Sequence, residues 1–157
     1  MKTIILGKNS YLSNNLKKSI TNSHVYSLTD KKLSELNLTN CNIIINSFYS
    51  SLKLEKIDSY ENFLKRSLYD LSIFLDKIKG VKIRKIIYSS SSSIYNSIND
   101  YDFKDERNRK MYSSTKYNAE NLIKNFCITN KINLCITRIF NIFGGSEQFS
   151  VISKIID

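Results

Sequence analysis

The stretch that decides the fold is residues 85–96, KIIYSSSSSIYN, in which an apolar run leads directly into five consecutive serines. A serine block on its own is typical of a flexible linker. This block, however, follows Ile87 and Tyr88 and is closed by Ile94. The serines therefore either tether two units or mark the end of a buried strand where polar groups are gathered.

The pattern around this stretch favours the strand end. Short apolar runs alternate with apolar residues at helical spacing, which predicts an α/β fold with a doubly wound parallel sheet. Ligands of such folds bind at the carboxyl edge of the sheet, where the serines would lie. The predicted strands are Thr3–Leu6, His24–Thr29, Asn42–Asn46, Ile83–Ser89 and Asn133–Ile139, and the predicted helices follow Gly7, run from Asp58 to a stop at Gly80, and run from Tyr112 to Asn130.

The remaining segments are a polar loop predicted at 96–110 and an amphipathic pattern at 149–157. The 157 residues, 41% of them hydrophobic, are enough for one domain with a core, predicted to cover 1–157. No apolar run approaches the ~20 residues that a bilayer-spanning helix needs. The apolar start is also too short for a signal peptide. A cytoplasmic protein without a membrane partner is therefore expected.

The net charge of +10 raises nucleic acid as a partner. The positive charge comes mostly from lysines spread along the whole chain, so nucleic acid is not the expected partner. The three cysteines, Cys41, Cys127 and Cys135, are scattered without metal-ligand spacing. They are expected to be reduced, packed thiols, and no metal site is expected.

Four segments in chain order resemble the extended short-chain dehydrogenases/reductases, the NAD-dependent epimerase/dehydratase family. They are GKNSYLS (7–13), YSSSSSIYN (88–96), YSSTK (112–116) and TRIFNIFG (137–144). In the family these correspond to a glycine-rich phosphate loop, a serine or threonine strand end, a Tyr-x-x-x-Lys pair and an R-x-F-N-x-x-G segment. They span nearly the whole chain but only the first half of a typical member. The resemblance therefore implies a Rossmann-type sheet and the absence of the C-terminal substrate domain here.

The resemblance implies an NAD(P)-dependent nucleotide-sugar epimerase, reductase or dehydrogenase with Ser91, Tyr112 and Lys116 as its catalytic groups. Residues four apart share a helix face, so Tyr112 and Lys116 can point at one ligand. A nearby ammonium favours the phenolate, which could take a proton from a sugar hydroxyl while hydride leaves for the cofactor. Ser91 would hydrogen-bond the substrate oxygen.

The same resemblance implies two sets of binding residues. An acidic residue after the second strand would select NAD through the ribose hydroxyl, a place for which both Thr29 and Asp30 compete. NAD is the expected cofactor, and NADP stays open. Ser92 and Ser93 stand where the family's sugar dehydratases carry Asp-Glu, so a dehydratase is not expected. The implied substrate contacts are Ser91, Ser92 and Asn141, and the implied cofactor contacts are Gly7, Ser10, Tyr11, Leu12, Thr29, Asp30, Ser89, Tyr112, Lys116 and Ile139.

The phosphate loop departs from the family pattern. Ser10 and Ser13 replace two of the three glycines of G-x-x-G-x-x-G, and a side chain at the second position would crowd the pyrophosphate. If Ser10 needs a positive φ, it also costs ~1–2 kcal/mol. The alternative function is therefore a catalytically inactive dinucleotide-binding remnant with a regulatory or dimerisation role. The two long helices are expected to form a homodimer interface, as they do in the family.

Overall fold

The structure, a computed structural model, describes residues 1–49, 59–96, 104–144 and 155. Within these residues, five parallel strands form one sheet in the order β2-β1-β3-β4-β5. The strands are β1 (Thr3–Leu6), β2 (Ser23–Tyr26), β3 (Asn42–Ile45), β4 (Lys85–Ser91) and β5 (Asn133–Ile139). The helices are α1 (Tyr11–Ser19), α2 (Lys31–Ser34), α3 (Tyr60–Leu64), a π-helical segment (Lys65–Tyr69), α4 (Asp70–Lys77), a 3₁₀ helix (Ser92–Asn96) and α5 (Lys104–Thr129).

The strand order confirms the predicted Rossmann-type parallel sheet. The chain runs outward from β1 to β2 and then returns to β3 on the other side of β1. The register is level, because Leu6 pairs with both Tyr26 and Ile45. The switch point therefore lies between β1 and β3, and in open parallel sheets ligands bind in the crevice at that point.

The core lies between the central strands and the helices that cover them. Ile43, Ile86 and Tyr88 are fully buried on the central strands, as a sheet covered on both faces requires. One face of α5 packs against the sheet, with Ala119 and Ile123 also fully buried. The core thus fixes β4 and α5 relative to each other.

The carboxyl ends of three strands differ from the prediction, and that of β3 is at Ile45 and not at Asn46. β4 continues to Ser91 because β5 pairs with it as far as Ser91 opposite Ile139. Three of the five serines are therefore strand residues, and the remaining two begin the 3₁₀ helix. β2, in contrast, ends at Tyr26 and not at Thr29, because its partner β1 ends at Leu6.

The long helix predicted from Tyr112 begins at Lys104 instead, so the predicted polar loop is wrong from 104 onward. This stretch contains no Pro or Gly to stop a helix. Tyr112 is consequently in the third turn of α5. The amphipathic pattern predicted at 149–157 lies outside the described residues, apart from Ile155.

Asp58, where the next helix was predicted to begin, lies outside the described residues. The described part of this helix has a π-helical segment between α3 and α4. A π turn inserts an extra residue and so shifts the buried face. Phe63 and Leu71 are buried, whereas Leu64 is 49% exposed. Gly80 has a φ of +78° just after the helix, which fits its predicted role as a stop signal.

None of the helices in the described part of the chain has the length and apolar character to span a bilayer. Cys41 and Cys127 are buried free thiols, as expected. Cys135 is free but exposed, because it lies on β5 at the edge of the sheet, so the expectation that it is packed was wrong.

Candidate active site

A cavity of about 1020 Å³ opens at the carboxyl edge of the sheet. Its volume lies at the upper end of the usual range for small-molecule sites, ~300–1,000 Å³. Residues that follow β1, β3 and β5 line it together with the serines at the end of β4. The site residues predicted from the sequence that line it are Gly7, Ser10, Tyr11, Leu12, Thr29, Ser89, Ser91, Tyr112, Lys116, Ile139 and Asn141.

Two of the predicted site residues do not line this cavity, Asp30 and Ser92. Asp30 caps α2, where its carboxylate accepts the amide of Lys32 at 3.0 Å. Thr29 lines the cavity, which favours the stricter of the two registers considered for this position. Ser92 begins the 3₁₀ helix, and the neighbouring Ser93 lines the cavity in its place, with its hydroxyl 2.9 Å from that of Ser91.

Gly7 provides the tight turn after β1. Its φ is +123°, and a Cβ there would lie 3.0 Å from the carbonyl carbon of Asn46. Ser10 has a φ of −79° and caps α1, its hydroxyl accepting the amide of Ser13. The conditional cost of a positive φ at Ser10 therefore does not arise. The first turn of α1 faces the cavity through Tyr11 and Leu12, and helix N-terminal amides are suited to phosphate oxygens.

The third glycine position of the family pattern is occupied by Ser13, which is fully buried. Its hydroxyl accepts a hydrogen bond from Nδ2 of the Asn46 side chain at 3.1 Å. Oδ1 of the same side chain accepts a hydrogen bond from the hydroxyl of Ser89. This chain of bonds joins α1 to the ends of β3 and β4, so the serine is accommodated as a satisfied polar group.

Tyr112 lies beside Ser91, with which it shares a side-chain hydrogen bond. Burial raises the pKa of the phenol to about 12, and the bond to Ser91 opposes this rise. Phe48 packs edge-on against the Tyr112 ring, with 5.3 Å between centroids. The structure therefore holds a protonated phenol next to a serine hydroxyl on the cavity wall.

Lys116 follows Tyr112 by four residues on α5 and is 4% exposed. Its ammonium donates to the backbone carbonyl of Ser89 at 2.7 Å and lies 4.2 Å from the centroid of the Phe48 ring. Burial lowers the pKa of Lys116 to about 7, and the charge of Glu120 opposes this fall. Here the ammonium bonds the strand end and not the Tyr112 phenol.

Several residues of the site were not predicted. Asn46 and Phe48 line the cavity after β3, and a polar residue closing the NIIIN run was an available signal for Asn46. Arg66 and Arg109 also line it, from the π-helical segment and α5. They could not have been found from the sequence, because nothing local distinguishes them from other surface arginines.

The residues present fit a dinucleotide. A glycine turn leads into a helix N-terminus at the switch point of a parallel sheet, opposite a wall that carries a serine, a tyrosine and a lysine. The turn leaves backbone close to the cavity at Gly7, where a Cβ would meet Asn46. Fold and site together define the class of Rossmann-type dinucleotide-binding proteins.

The family follows from comparison with known proteins. Residues 2–157 match the model of the NAD dependent epimerase/dehydratase family, and the chain belongs to this family. The resemblance inferred from the four sequence segments is thereby confirmed. The family's description names NAD, which agrees with the cofactor expected from the sequence.

Individual relatives are distant. The low-salt glycan biosynthesis protein Agl12 of Haloferax volcanii is 25% identical over 124 residues, which are 77% of this chain and 40% of that protein. A UDP-N-acetylglucosamine 4-epimerase from Methanobrevibacter ruminantium, solved with UDP-N-acetylmuramic acid, is 16% identical with a TM-score of 0.74. A UDP-glucuronic acid 4-epimerase from Bacillus cereus, solved with NAD, is 14% identical with a TM-score of 0.72.

In both structural matches the alignment covers 99% of this chain and 61% of the other. At such identities the solved structures establish the fold alone. The chain spans about three fifths of their length and two fifths of the Haloferax protein.

Proposed function

We propose that this chain is the NAD-binding part of an enzyme that acts on a nucleotide-sugar as an epimerase or as a reductase/dehydrogenase. The observation that carries the proposal is the convergence of Ser91, Tyr112 and Lys116 on one cavity wall, which shares the cavity with the Gly7 turn. Structures similar to this chain were solved with UDP-sugars or with NAD, which supports both ligand classes.

In this proposal bound NAD supplies the hydride acceptor. The Gly7 turn and the first turn of α1 hold its pyrophosphate, and Lys116 holds its ribose. Ser91 orients the sugar hydroxyl that reacts, and Tyr112 takes or returns the proton of that hydroxyl. Ile139, the last residue of β5, lines the space for the nicotinamide ring. Asn141, two residues later, lines the space for the sugar.

Proton transfer through Tyr112 needs a positive charge near its phenol. At a pKa of about 12 the phenol keeps its proton at neutral pH. A cation close to it lowers that pKa and makes the phenol a competent base. Lys116, one helical turn further along α5, is the cation of this chain proposed to do so when its ammonium leaves the Ser89 carbonyl.

The inactive dinucleotide-binding remnant is the second candidate. The specific observation that favours it is the same high pKa of Tyr112, combined with an ammonium that bonds the strand end. A remnant would bind NAD without using Tyr112. The two candidates therefore differ in what the tyrosine hydroxyl does.

One experiment separates them. NAD and NADP are titrated by calorimetry into the wild-type chain, and NADH formation and epimer formation are followed with UDP-sugars. The variants are Tyr112→Phe and its matched control Tyr117→Phe, whose ring is 47% exposed on the same helix. We expect NAD binding in all three proteins and a roughly 100-fold or larger loss of turnover in Tyr112→Phe alone.

If NAD binds but wild type and Tyr112→Phe turn over UDP-sugars equally, the remnant is supported over the enzyme. If neither NAD nor NADP binds at millimolar concentration, both candidates are wrong.

The homodimer and the cytoplasmic location also stay proposals. Exposed apolar side chains recur along the outer side of α3, the π-helical segment and α4, at Tyr60, Leu64, Tyr69 and Ile73. Such a surface suits helix-to-helix packing between two copies. Light scattering of the wild type against Leu64→Glu tests this, and a wild-type monomer at high protein concentration refutes the dimer.

A further inference from the structure

An ion pair between a buried carboxylate and a partly exposed guanidinium lies behind the candidate catalytic wall. Glu120 of α5 is 4% exposed, and both of its carboxylate oxygens accept hydrogen bonds from Arg138 of β5. The distances are 3.0 Å from Nε and 2.8 Å from Nη2, which is a bidentate arrangement. This geometry fixes the carboxylate in position on the helix.

Arg138 is itself fixed from the other side. Its guanidinium lies over the ring of Tyr95, 4.8 Å from the centroid, and that ring stacks on Phe140. The ion pair therefore joins α5 to the residues that follow β4 and β5, which are the two segments that carry the serines and Asn141. A side chain needed only for helix packing would not require this second set of contacts.

Glu120 lies one helical turn after Lys116, so the two side chains are on the same face of α5. The carboxylate and the ammonium interact electrostatically, each favouring the charged form of the other. Burial disfavours the charged form of Glu120, but Arg138, the nearby Ser90 and Lys116 together lower its pKa below the usual value. The carboxylate is thus charged at neutral pH.

The surroundings of Lys116 supply little other compensation for a charge. Its ammonium has three donors, and one of them bonds the Ser89 carbonyl. The rings of Phe48 and Tyr88 face it at 4.2 and 4.8 Å. Of the titratable groups around it, Tyr88 is neutral because burial raises its pKa, and Tyr112 is neutral at a pKa of about 12.

We propose that Glu120, held by Arg138, is a positioning residue for Lys116, and that its carboxylate is the counter-charge that keeps the buried lysine protonated beside Tyr112. A buried cation without a partner loses its proton instead of staying charged. Glu120 thereby sets the fraction of molecules in which Lys116 can hold a ribose or assist the phenol. The inference rests on the proposed function only for that last step.

The test is a titration of lysine side chains by NMR in the wild type and in Glu120→Gln, without cofactor. The Lys116 resonance is assigned by its absence in Lys116→Arg. We expect a wild-type midpoint near about 7 and a midpoint at least ~1 pH unit lower in Glu120→Gln, which is a tenfold or larger fall in the ratio of charged to neutral lysine. Glu61→Gln, an exposed acid on α3, is the matched control and should leave the midpoint unchanged.

Glu120→Asp keeps the negative charge for Arg138 and serves if Glu120→Gln does not fold. Its shorter side chain moves the charge, so we expect a smaller fall than in Glu120→Gln. A Lys116 midpoint that is the same in wild type, in Glu120→Asp and in any folded Glu120→Gln overturns the proposal. Because no cofactor is present, that result would leave the proposed function standing, whereas absent NAD binding would leave this inference standing.

Discussion

Two walls close the same cavity and are built very differently. The wall of β4 and α5 consists of a seven-residue strand with a partner on each side and a 26-residue helix. The other wall is the segment between β2 and α2, where Ser27 and Thr29 line the cavity, and it is carried by a four-residue edge strand and a four-residue helix. β4 carries fully buried side chains at Ile86 and Tyr88, whereas no residue of β2 is fully buried.

The comparison indicates that the side chains of the two walls are constrained to different degrees. The proposed chemistry depends on groups on β4 and α5, whose side chains are fixed by packing and hydrogen bonds. The proposed selection of NAD or NADP would depend on Thr29, which follows β2, a strand with one neighbour in the described sheet. We therefore expect substitutions on the first wall to affect activity and those on the second wall to affect mainly local stability.

The largest effect is expected from Ser91→Ala compared with Ser92→Ala. Ser91 lines the cavity and bonds the Tyr112 side chain, while its neighbour Ser92 does not line the cavity. Removing a hydroxyl that orients the reacting oxygen should lower turnover of a nucleotide-sugar roughly 100-fold, with little change for Ser92→Ala. Steady-state kinetics of the two variants measures this, and equal losses in both would contradict the assignment of Ser91.

The next largest effect concerns the junction between the walls, at Gly7. Gly7→Ala would place a Cβ 3.0 Å from the Asn46 backbone at a φ of +123°, so we expect a loss of roughly 2–4 kcal/mol in unfolding free energy. Gly80→Ala is the control, since its φ is +78° but nothing lies within 4 Å of the added Cβ. About 1–2 kcal/mol is expected there, the cost of a left-handed φ for a residue with a Cβ. Urea unfolding of both variants decides, and similar losses would show that crowding at Gly7 is unimportant.

The stability of the folded protein should depend on pH through Lys116, which lies on the wall of β4 and α5. Lys116 has a pKa of about 7 in the folded protein, below its ordinary value of ~10.4 in the unfolded chain. Between these values the unfolded chain binds more protons, so this lysine makes stability rise with pH, by at most about 1.4 kcal/mol per pH unit.

Lys116→Met removes that dependence, and the variant should be more stable than the wild type near and below neutral pH. Urea unfolding at several pH values from ~6 to ~8.5 measures the slope. Lys124→Met, an exposed lysine of the same helix, should keep the wild-type slope. A slope unchanged by Lys116→Met would mean that the buried lysine is not depressed in pKa.

The smallest effects are expected on the second wall. Asp30→Ala removes the α2 cap and should cost about 0.5–2 kcal/mol without altering NAD affinity, because Asp30 does not line the cavity. Thr29→Ala should do the reverse, with a small loss of NAD affinity and unchanged stability. Calorimetry and urea unfolding of the pair measure both quantities. Weaker NAD binding in Asp30→Ala would indicate that Asp30, and not Thr29, contacts the ribose.

Much of the fold was predictable because the buried strands are continuous apolar runs. The bounds of β1 and β5 were predicted correctly, since apolar residues and their neighbours define them. The ends of β2 and β4 were not, because strand length depends on the length of the partner strand, which a local pattern does not contain. The π-helical segment was not predicted either, because a pattern of apolar residues does not show a single inserted residue.

The residues of the candidate site were predictable where a sequence motif identifies them. Gly7, Ser91 and Tyr112 all line the cavity, as the ordered segments predicted. The interactions that accommodate Ser10 and Ser13 could not be predicted from the sequence. They depend on the cap geometry of α1 and on the side-chain amide of Asn46, which follows β3. The counter-charge of Lys116 also depends on β5 and α5 being adjacent.

The four-residue edge strand β2 has a consequence for how molecules of this protein meet each other. The outer side of an edge strand presents unpaired peptide groups that another chain can use as a template for strand addition. Here that template is short, and Asn22, directly before it, has a φ of +55°, which turns the backbone away from an extended path. Intermolecular sheet extension at this edge is thus limited to a few peptide groups, a form of protection against aggregation that arises from the brevity of the strand.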